Sequence, residues 1–292
     1  MKIKCLICNS DKLSVVWNDK IRSSAKHFTK TREKILKCND CELIFLKNRK
    51  KNLENSAYAR SIYNKNNSVK EFNRFHKPRE LKKISFLTKY LNLKNKDILE
   101  LNCGAGTIIN YYKKTCRSTS GVDDLIYQKY LKKNGHKFFS NINKILDDKL
   151  KYDYIFSMSE LEHKFDPKNY LLKINKLMKK NSILIVRVPN FENIYMYLLK
   201  DAFLKYDFRA SHNFYFSTKN LNLLFAKTKF KIKKKLGFHE YSVNHLIEYM
   251  QTKKRVYNSP NKVLSKKQNS FIVKNIEDML VSTSLIYLLE KK

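Results

Sequence analysis

A repeated alternation of short apolar runs with helical periodicity constrains this chain more than any other feature. Asp97–Leu101, Ser120–Asp123, Tyr152–Met158 and Ser182–Val188 are each too short for a buried helix and too apolar for a loop. Between them lie stretches with helical spacing: Thr107–Lys113, about Leu125–Asn134, and Lys168–Lys179 with Leu171, Leu172, Ile174, Leu177 and Met178. A further amphipathic helix, Glu80–Leu91, precedes the first run through Leu81, Ile84, Leu87 and Leu91. Strands alternating with helices imply a mostly parallel sheet with both faces covered, a doubly wound α/β fold. Lys229–Lys235 and Ser284–Glu290 read as two closing edge strands.

In such a sheet a ligand sits beyond the carboxyl ends of the strands, where the strand order reverses. There the sequence reads Asn102-Cys103-Gly104-Ala105-Gly106, a small-residue turn between strand and helix, and Asp123 ends the next strand. Glycine lets the backbone turn sharply and lets a ligand approach it closely. An acid at the end of the second strand can accept hydrogen bonds from both ribose hydroxyls of a nucleoside. The third glycine of a dinucleotide fingerprint is absent, since Ile109 stands there. That favours a nucleoside ligand without a pyrophosphate.

Four of the six cysteines form two knuckles, Cys5-Leu6-Ile7-Cys8 and Cys38-Asn39-Asp40-Cys41. Each CxxC turn offers two thiolates to one ion, and two turns complete a closed, structural Zn2+ site. Between them 29 residues hold two short strand patterns, Leu13–Trp17 and Lys34–Lys37, the arrangement of a zinc ribbon. Redox thiols or chance turns are the competing readings. The chain divides accordingly into a zinc-ribbon module (1–46), a linker with helical cover (47–80) bearing Tyr58, Tyr63, Phe72 and Phe75, and a catalytic domain (81–292). Residues 191–216 form a polar, aromatic insert within that domain, read as a lid or substrate wall.

Charge is less specific. Lys+Arg total 61 against 26 Asp+Glu, a formal net charge of +35. A polyanionic partner is one reading, and non-specific nucleic-acid binding would follow from charge alone. Even spreading of lysine, with abundant Asn and Ile, favours the other reading, AT-rich codon usage. The start lacks an apolar signal core and no run of about 18 apolar residues offers a membrane span, so a cytoplasmic protein is expected.

Taken together these motifs resemble class I S-adenosyl-L-methionine (SAM)-dependent methyltransferases. Asp97–Gly106 resembles their motif I, and Gly121-Val122-Asp123 their second strand with its ribose-binding acid. Tyr152–Pro167 is similar to the segment ending in "EH..dP", Val188-Pro189-Asn190 to the fifth-strand "(T/V)PN", and His212–Ser217 to "HlyhFs". The CxxC…CxxCxLIF preface resembles a bacterial subgroup associated with sugar and surface-polysaccharide synthesis. Glu240–His245 is similar to a "YxxxNH" segment of that subgroup. The resemblance implies a Rossmann-like seven-stranded sheet ending in a reversed hairpin.

It implies roles as well. Glu100, Asn102, Gly104 and Gly106 would line the methionine part of SAM, and Asp123 would hold the ribose. Asn141 would lie near the adenine amino group, Ile142 would pack on the ring, and Ser157 and Met158 would form the floor. Two family glycines are replaced, one in motif I by Asn102 and one after the last knuckle cysteine by Glu42.

In-line methyl transfer needs alignment first and a base where the nucleophile is a hydroxyl or carbon acid. Glu162, His163 and His212 are the candidate catalytic residues, with Tyr215, His239 and His245 as further contributors. A structural role for His163 competes with a chemical one. No Pro-Cys or (N/D)PP(Y/F) motif is present, which argues against base C5- and amino-methylation. The expected acceptor is a small molecule, a sugar or surface-glycan precursor. RNA methylation and a non-catalytic zinc-ribbon binding module are the alternatives.

Overall fold

The computed structural model describes residues 3–24, 27–51, 68–254, 256 and 260–292. Tyr58 and Tyr63 of the expected linker lie outside the described residues. In chain order the strands β1 (Leu13–Asp19), β2 (Glu33–Cys38) and β3 (Ile44–Leu46) come first. Helices α1 (Val69–Phe75) and α2 (Lys77–Thr88) follow. Then come β4 (Asp97–Leu101), α3 (Thr107–Tyr112), β5 (Ser118–Val122), α4 (Gln128–Lys133) and β6 (Lys137–Phe139). After α5 (Ile142–Asp147) are β7 (Tyr152–Met158), α6 (Pro167–Lys176) and β8 (Met178–Pro189). The insert forms α7 (Ile194–Leu199), α8 (Asp201–Asp207) and β9 (Phe214–Tyr215). The chain closes with α9 (Thr218–Lys227), β10 (Phe230–Phe238), α10 (Val243–Thr252), α11 (Lys266–Asp278) and β11 (Ser284–Lys291).

Seven strands form the main sheet in the order β10-β11-β8-β7-β4-β5-β6, the reversed final hairpin included. This is the expected doubly wound, mostly parallel Rossmann-like sheet of methyltransferases. Two compact units divide the chain. One, bearing the cysteines, comprises Met1–Lys50, Arg187–Leu224 and Lys234–Tyr287. The other, bearing the glycine loop, comprises Lys51–Val186, Phe225–Lys233 and Leu288–Lys292. Both are discontinuous, whereas the boundaries read from sequence are linear.

In the glycine-loop unit β4 pairs in parallel with β5 on one side and β7 on the other, from Asp97↔Ser118 to Leu101↔Ser157. The chain builds outward from β4 to β6, then returns to β4's other edge with β7, so the order reverses beside β4. Burial of Ile98, Leu99, Ile155 and Phe156 anchors these central strands. At their amino ends Lys179 bridges Asp97 (2.6 Å) and Asp153 (2.8 Å), while Arg117 clasps Asp97. Arg117 chiefly, then Lys179, hold the Asp97 carboxyl well below the usual carboxylate range. These bonds explain one departure from the sequence reading. The helix expected to reach Lys179 stops at Lys176 because extended backbone delivers that ammonium to both acids. Helix α2 also runs three residues earlier than expected at its start, with a proline in its first turn, where no N–H is needed.

In the cysteine unit β1, β2, β3 and β9 form a four-stranded sheet. The insert therefore supplies the fourth strand of the ribbon sheet, pairing Ile44 with Tyr215 and Phe45 with Phe214. Ile21, Ile35, Ile44, Leu46, Phe208, Ala210 and Tyr215 make one buried cluster there. Asn213 fixes the join, accepting from the Lys50 N–H (2.8 Å) and donating to its carbonyl (3.0 Å). Among the described residues no helix is long and apolar enough to cross a membrane.

His136 offers a test of packing in the glycine-loop unit. Its ring is buried, with Nε2 donating to Asn110 Oδ1 (2.8 Å) and Nδ1 accepting from the Thr119 hydroxyl (2.6 Å). Burial lowers its pKa from 6.5 to about 4. The unfolded chain takes up this proton first, so the stabilisation is complete above pH 6.5 and is lost as pH falls toward 4. Urea unfolding should show the gap between wild type and His136→Gln narrowing by about 2 kcal/mol from about pH 7.5 to about pH 5. Parallel pH curves would show that His136 is not the titrating group.

Candidate functional site

The loop after β4 carries three left-handed residues: Asn102 (φ 56°), Gly104 (φ 54°) and Gly106 (φ 69°). Such backbone is costly for most L-residues and tolerable for Asn. At Gly104 space matters too, because an added Cβ would lie 2.0 Å from Phe72 Cε2. The Phe72 ring of α1 therefore rests against the loop backbone, edge-on to Tyr127 at 5.7 Å between ring centres. Gly106 caps the start of α3.

Asp123 is buried immediately after β5. Its Oδ2 accepts from the Gly104 N–H (2.5 Å) and its Oδ1 from the Asp124 N–H (2.7 Å). A carboxylate oxygen can accept more than one hydrogen bond, so a ribose hydroxyl is a chemically suitable donor to such a group. The expected ribose acid and the glycine loop are thus brought together directly.

Glu100, expected as a lining residue, is the penultimate residue of β4. It is buried within β4, and its Oε2 accepts from the Ile109 N–H (3.2 Å) in the first turn of α3. Burial drives its pKa well above the ordinary carboxylate range, with nearby Glu80 adding to the rise. Glu100 props the helix that follows the loop. Ser157 and Met158 end β7, beside Leu101 at the end of β4, with Ser157 Oγ 3.2 Å from the Tyr170 hydroxyl. Asn141 caps α5, accepting from Asn143 N (3.0 Å) and Lys144 N (3.2 Å), and Ile142 begins that helix half-buried.

The candidate catalytic residues fall in both units. Glu162 and His163 lie in a short turn of 3₁₀ helix, Leu161–His163, that follows β7; Glu162 is buried and His163 half-buried. His212 belongs to the cysteine unit, where it is buried with its ring 5.8 Å from that of Tyr215. His239, in the same unit, stacks on Tyr195, and burial lowers its pKa to about 4.

The four knuckle cysteines also converge. Their Sγ atoms all lie within 4.8 Å of one another, with Cys5–Cys41 at 3.5 Å and Cys8–Cys38 at 3.4 Å. Tetrahedral zinc with bonds near 2.3 Å sets sulfurs roughly 3.8 Å apart, so the donor set fits that ion. Each knuckle closes on a left-handed residue, Asn9 (φ 65°) after the first and Glu42 (φ 61°) after the second. Glu42 thus occupies the backbone state that a glycine would adopt freely. Its side chain pairs with Lys219.

Sequence reasoning missed two contributors. Phe72 is legible only as part of a covering helix, and nothing in the sequence links it to Gly104. Nothing in the sequence sets Glu160 apart, yet its carboxylate accepts from Asn102 Nδ2 at 2.7 Å.

Comparison with known proteins bears on the family and the fold. A family model described as a methyltransferase domain matches residues 72–235, more than half of the chain. A ubiquinone biosynthesis O-methyltransferase from Pelagibacter ubique is 29% identical over 147 residues, 48% of this chain and 56% of the relative. The match therefore spans little more than half of that relative's length. Among solved structures, a chain from the complex of the Haloferax volcanii Trm112 methyltransferase activator with a methyltransferase superposes with a TM-score of 0.53. Identity there is 12%, over 81% of this chain and 96% of the other, a likeness of fold. A SAM-dependent methyltransferase from Archaeoglobus fulgidus gives a TM-score of 0.48 at 18% identity, over 75% and 97% of the two chains.

Proposed function

The chain belongs to the methyltransferase-domain family, with SAM as methyl donor, and from that premise we propose that the Asn102–Gly106 loop and Asp123 hold the SAM and that the acceptor is a small hydroxylated molecule. The observation that carries the cofactor assignment is the Asp123–Gly104 bond. It sets a carboxylate acceptor and a tight glycine turn side by side at the reversal of strand order. When bound, SAM supplies an electrophilic methyl group on a sulfonium.

The chain's own residues then do four things in this reading. Asp123 accepts from the ribose hydroxyls. Asn102, Gly104 and Gly106 carry the methionine half, on a loop that Glu100 steadies through α3. Asn141 and Ile142 meet the adenine, and Ser157 and Met158 close the floor. Glu162, His163 and His212 are the candidates for removing the acceptor's proton.

A hydroxyl acceptor is supported by the Pelagibacter relative, whose name records O-methylation in the synthesis of a small molecule. Within that class we favour a sugar or surface-glycan precursor, on the CxxC preface and the Glu240–His245 segment. The fit of the four thiols supports one structural zinc at Cys5, Cys8, Cys38 and Cys41.

Four measurements test this. Asp123→Ala should weaken SAM binding in isothermal titration by about 1.5–3 kcal/mol, the loss expected for charged hydrogen bonds; unchanged affinity would move the cofactor elsewhere. Metal analysis of purified protein should find about one zinc per chain, as a closed Cys₄ site holds a single ion. Absence of metal with all four thiols freely titrating would remove the zinc. Finally, a screen of nucleotide sugars and glycan precursors against total RNA should find methylation in the sugar arm. His163→Ala should then lower turnover by about 10²–10⁴-fold while SAM affinity stays unchanged. Normal turnover would make His163 structural, and methylation confined to the RNA arm would overturn the acceptor class.

A further inference from the structure

Asn102 opens the small-residue loop after β4, and the structure gives its side chain a specific neighbour. Strands β4 and β7 run side by side in parallel, so the residues just past their ends are adjacent. Past β7, Ser159 turns left-handed (φ 61°) and is followed by Glu160. The Glu160 carboxylate is almost wholly buried and bonded twice. One oxygen accepts from Asn102 Nδ2 (2.7 Å), and the other pairs with Lys164, four residues on and also buried. Lys164 Nζ in turn sits 4.7 Å above the Tyr170 ring.

A buried carboxylate is expensive unless paired, and a hydrogen bond to a charged acceptor is stronger than a neutral one. Glycine at position 102 would offer no side-chain donor. Asparagine does, and it also bears the positive φ better than most residues.

We propose that Glu160 is a positioning residue for the cofactor loop: by gripping the Asn102 amide it holds that residue left-handed and so presets the turn that receives SAM. Lys164 balances the charge of the carboxylate at the grip. The bond also ties the loop after β4 to the segment carrying Glu162 and His163, so cofactor loop and candidate proton-transfer residues share one anchor. This rests on the assignment of SAM to the Asn102–Gly106 loop.

SAM titration in variants chosen to keep the local charge balanced tests the grip. Glu160→Ala combined with Lys164→Met removes the pair without orphaning an ammonium. With Asn102 in place it should weaken SAM about tenfold, and in an Asn102→Gly background by less than about twofold, the signature of directly coupled residues. Reversal of the bond gives a second readout. Asn102→Asp sets two carboxylates together and should weaken SAM and lower the melting temperature. Adding Glu160→Gln, whose amide donates to the introduced carboxylate, should restore affinity to within about threefold. Equal losses with and without the Asn102→Gly change, or no rescue by Glu160→Gln, would overturn the positioning role while leaving SAM binding intact. If wild type and Asn102→Gly alike fail to bind SAM, the cofactor assignment itself falls, and this inference with it.

Discussion

The hydrogen bond from the Gly104 N–H to Asp123 is the contact on which the rest of the site depends. It joins the turn after β4 to the end of β5, at the reversal of strand order. Left-handed backbone at three positions makes the turn tight, with the N–H groups of Cys103, Gly104 and Gly106 bonded to Val122, Asp123 and Cys103, and each of the three left-handed residues is secured differently. Gly104 needs no side chain because Phe72 fills that space. Gly106 begins α3, whose first turn is held by Glu100. Asn102 is held from the side by Glu160. Methyl transfer asks mainly for alignment of donor and acceptor, so a preset loop is the main contribution the fold can make.

Much of this was legible in the sequence because short buried strands have a strong signature. Asp97–Leu101 and Tyr152–Met158 are strands with the bounds that their apolar runs imply. Position 123 follows from the same logic, as an acid ending the second strand. What could not be read are contacts whose partners are far apart in the chain. The Phe72–Gly104 approach spans a helix, a strand and their connections, and the Asn102–Glu160 bond crosses 58 residues. Glu100 shows a subtler limit. Its motif is recognisable, but its burial and its bond to Ile109 make it a support for α3, which no spacing rule reveals. Leu81 likewise fits the periodicity of α2 and yet stays 38% exposed, while Ile84 and Leu87 are buried.

The cysteine knuckles follow the same physical rule as the glycine loop. Both depend on left-handed residues, and in both one of these is not a glycine, Glu42 in one and Asn102 in the other. Each side chain has a polar partner, Glu42 an exposed one in Lys219 and Asn102 a buried one in Glu160. The knuckles are also less separate than their place in the chain suggests. Strand β9 of the insert extends the ribbon sheet, and Asn213 brackets Lys50 at the join. His212 directly precedes that anchored stretch. Its backbone position is therefore set by the four-stranded sheet that adjoins the cysteine knuckles.

The most direct test of the account is a crystal structure with S-adenosylhomocysteine bound. The ribose hydroxyls should lie within hydrogen-bonding distance, about 2.6–3.0 Å, of the Asp123 carboxylate. The homocysteine part should run along Asn102–Gly106, with the Gly104 N–H still bonded to Asp123. Ligand bound elsewhere, or bound with its ribose turned away from Asp123, would contradict it.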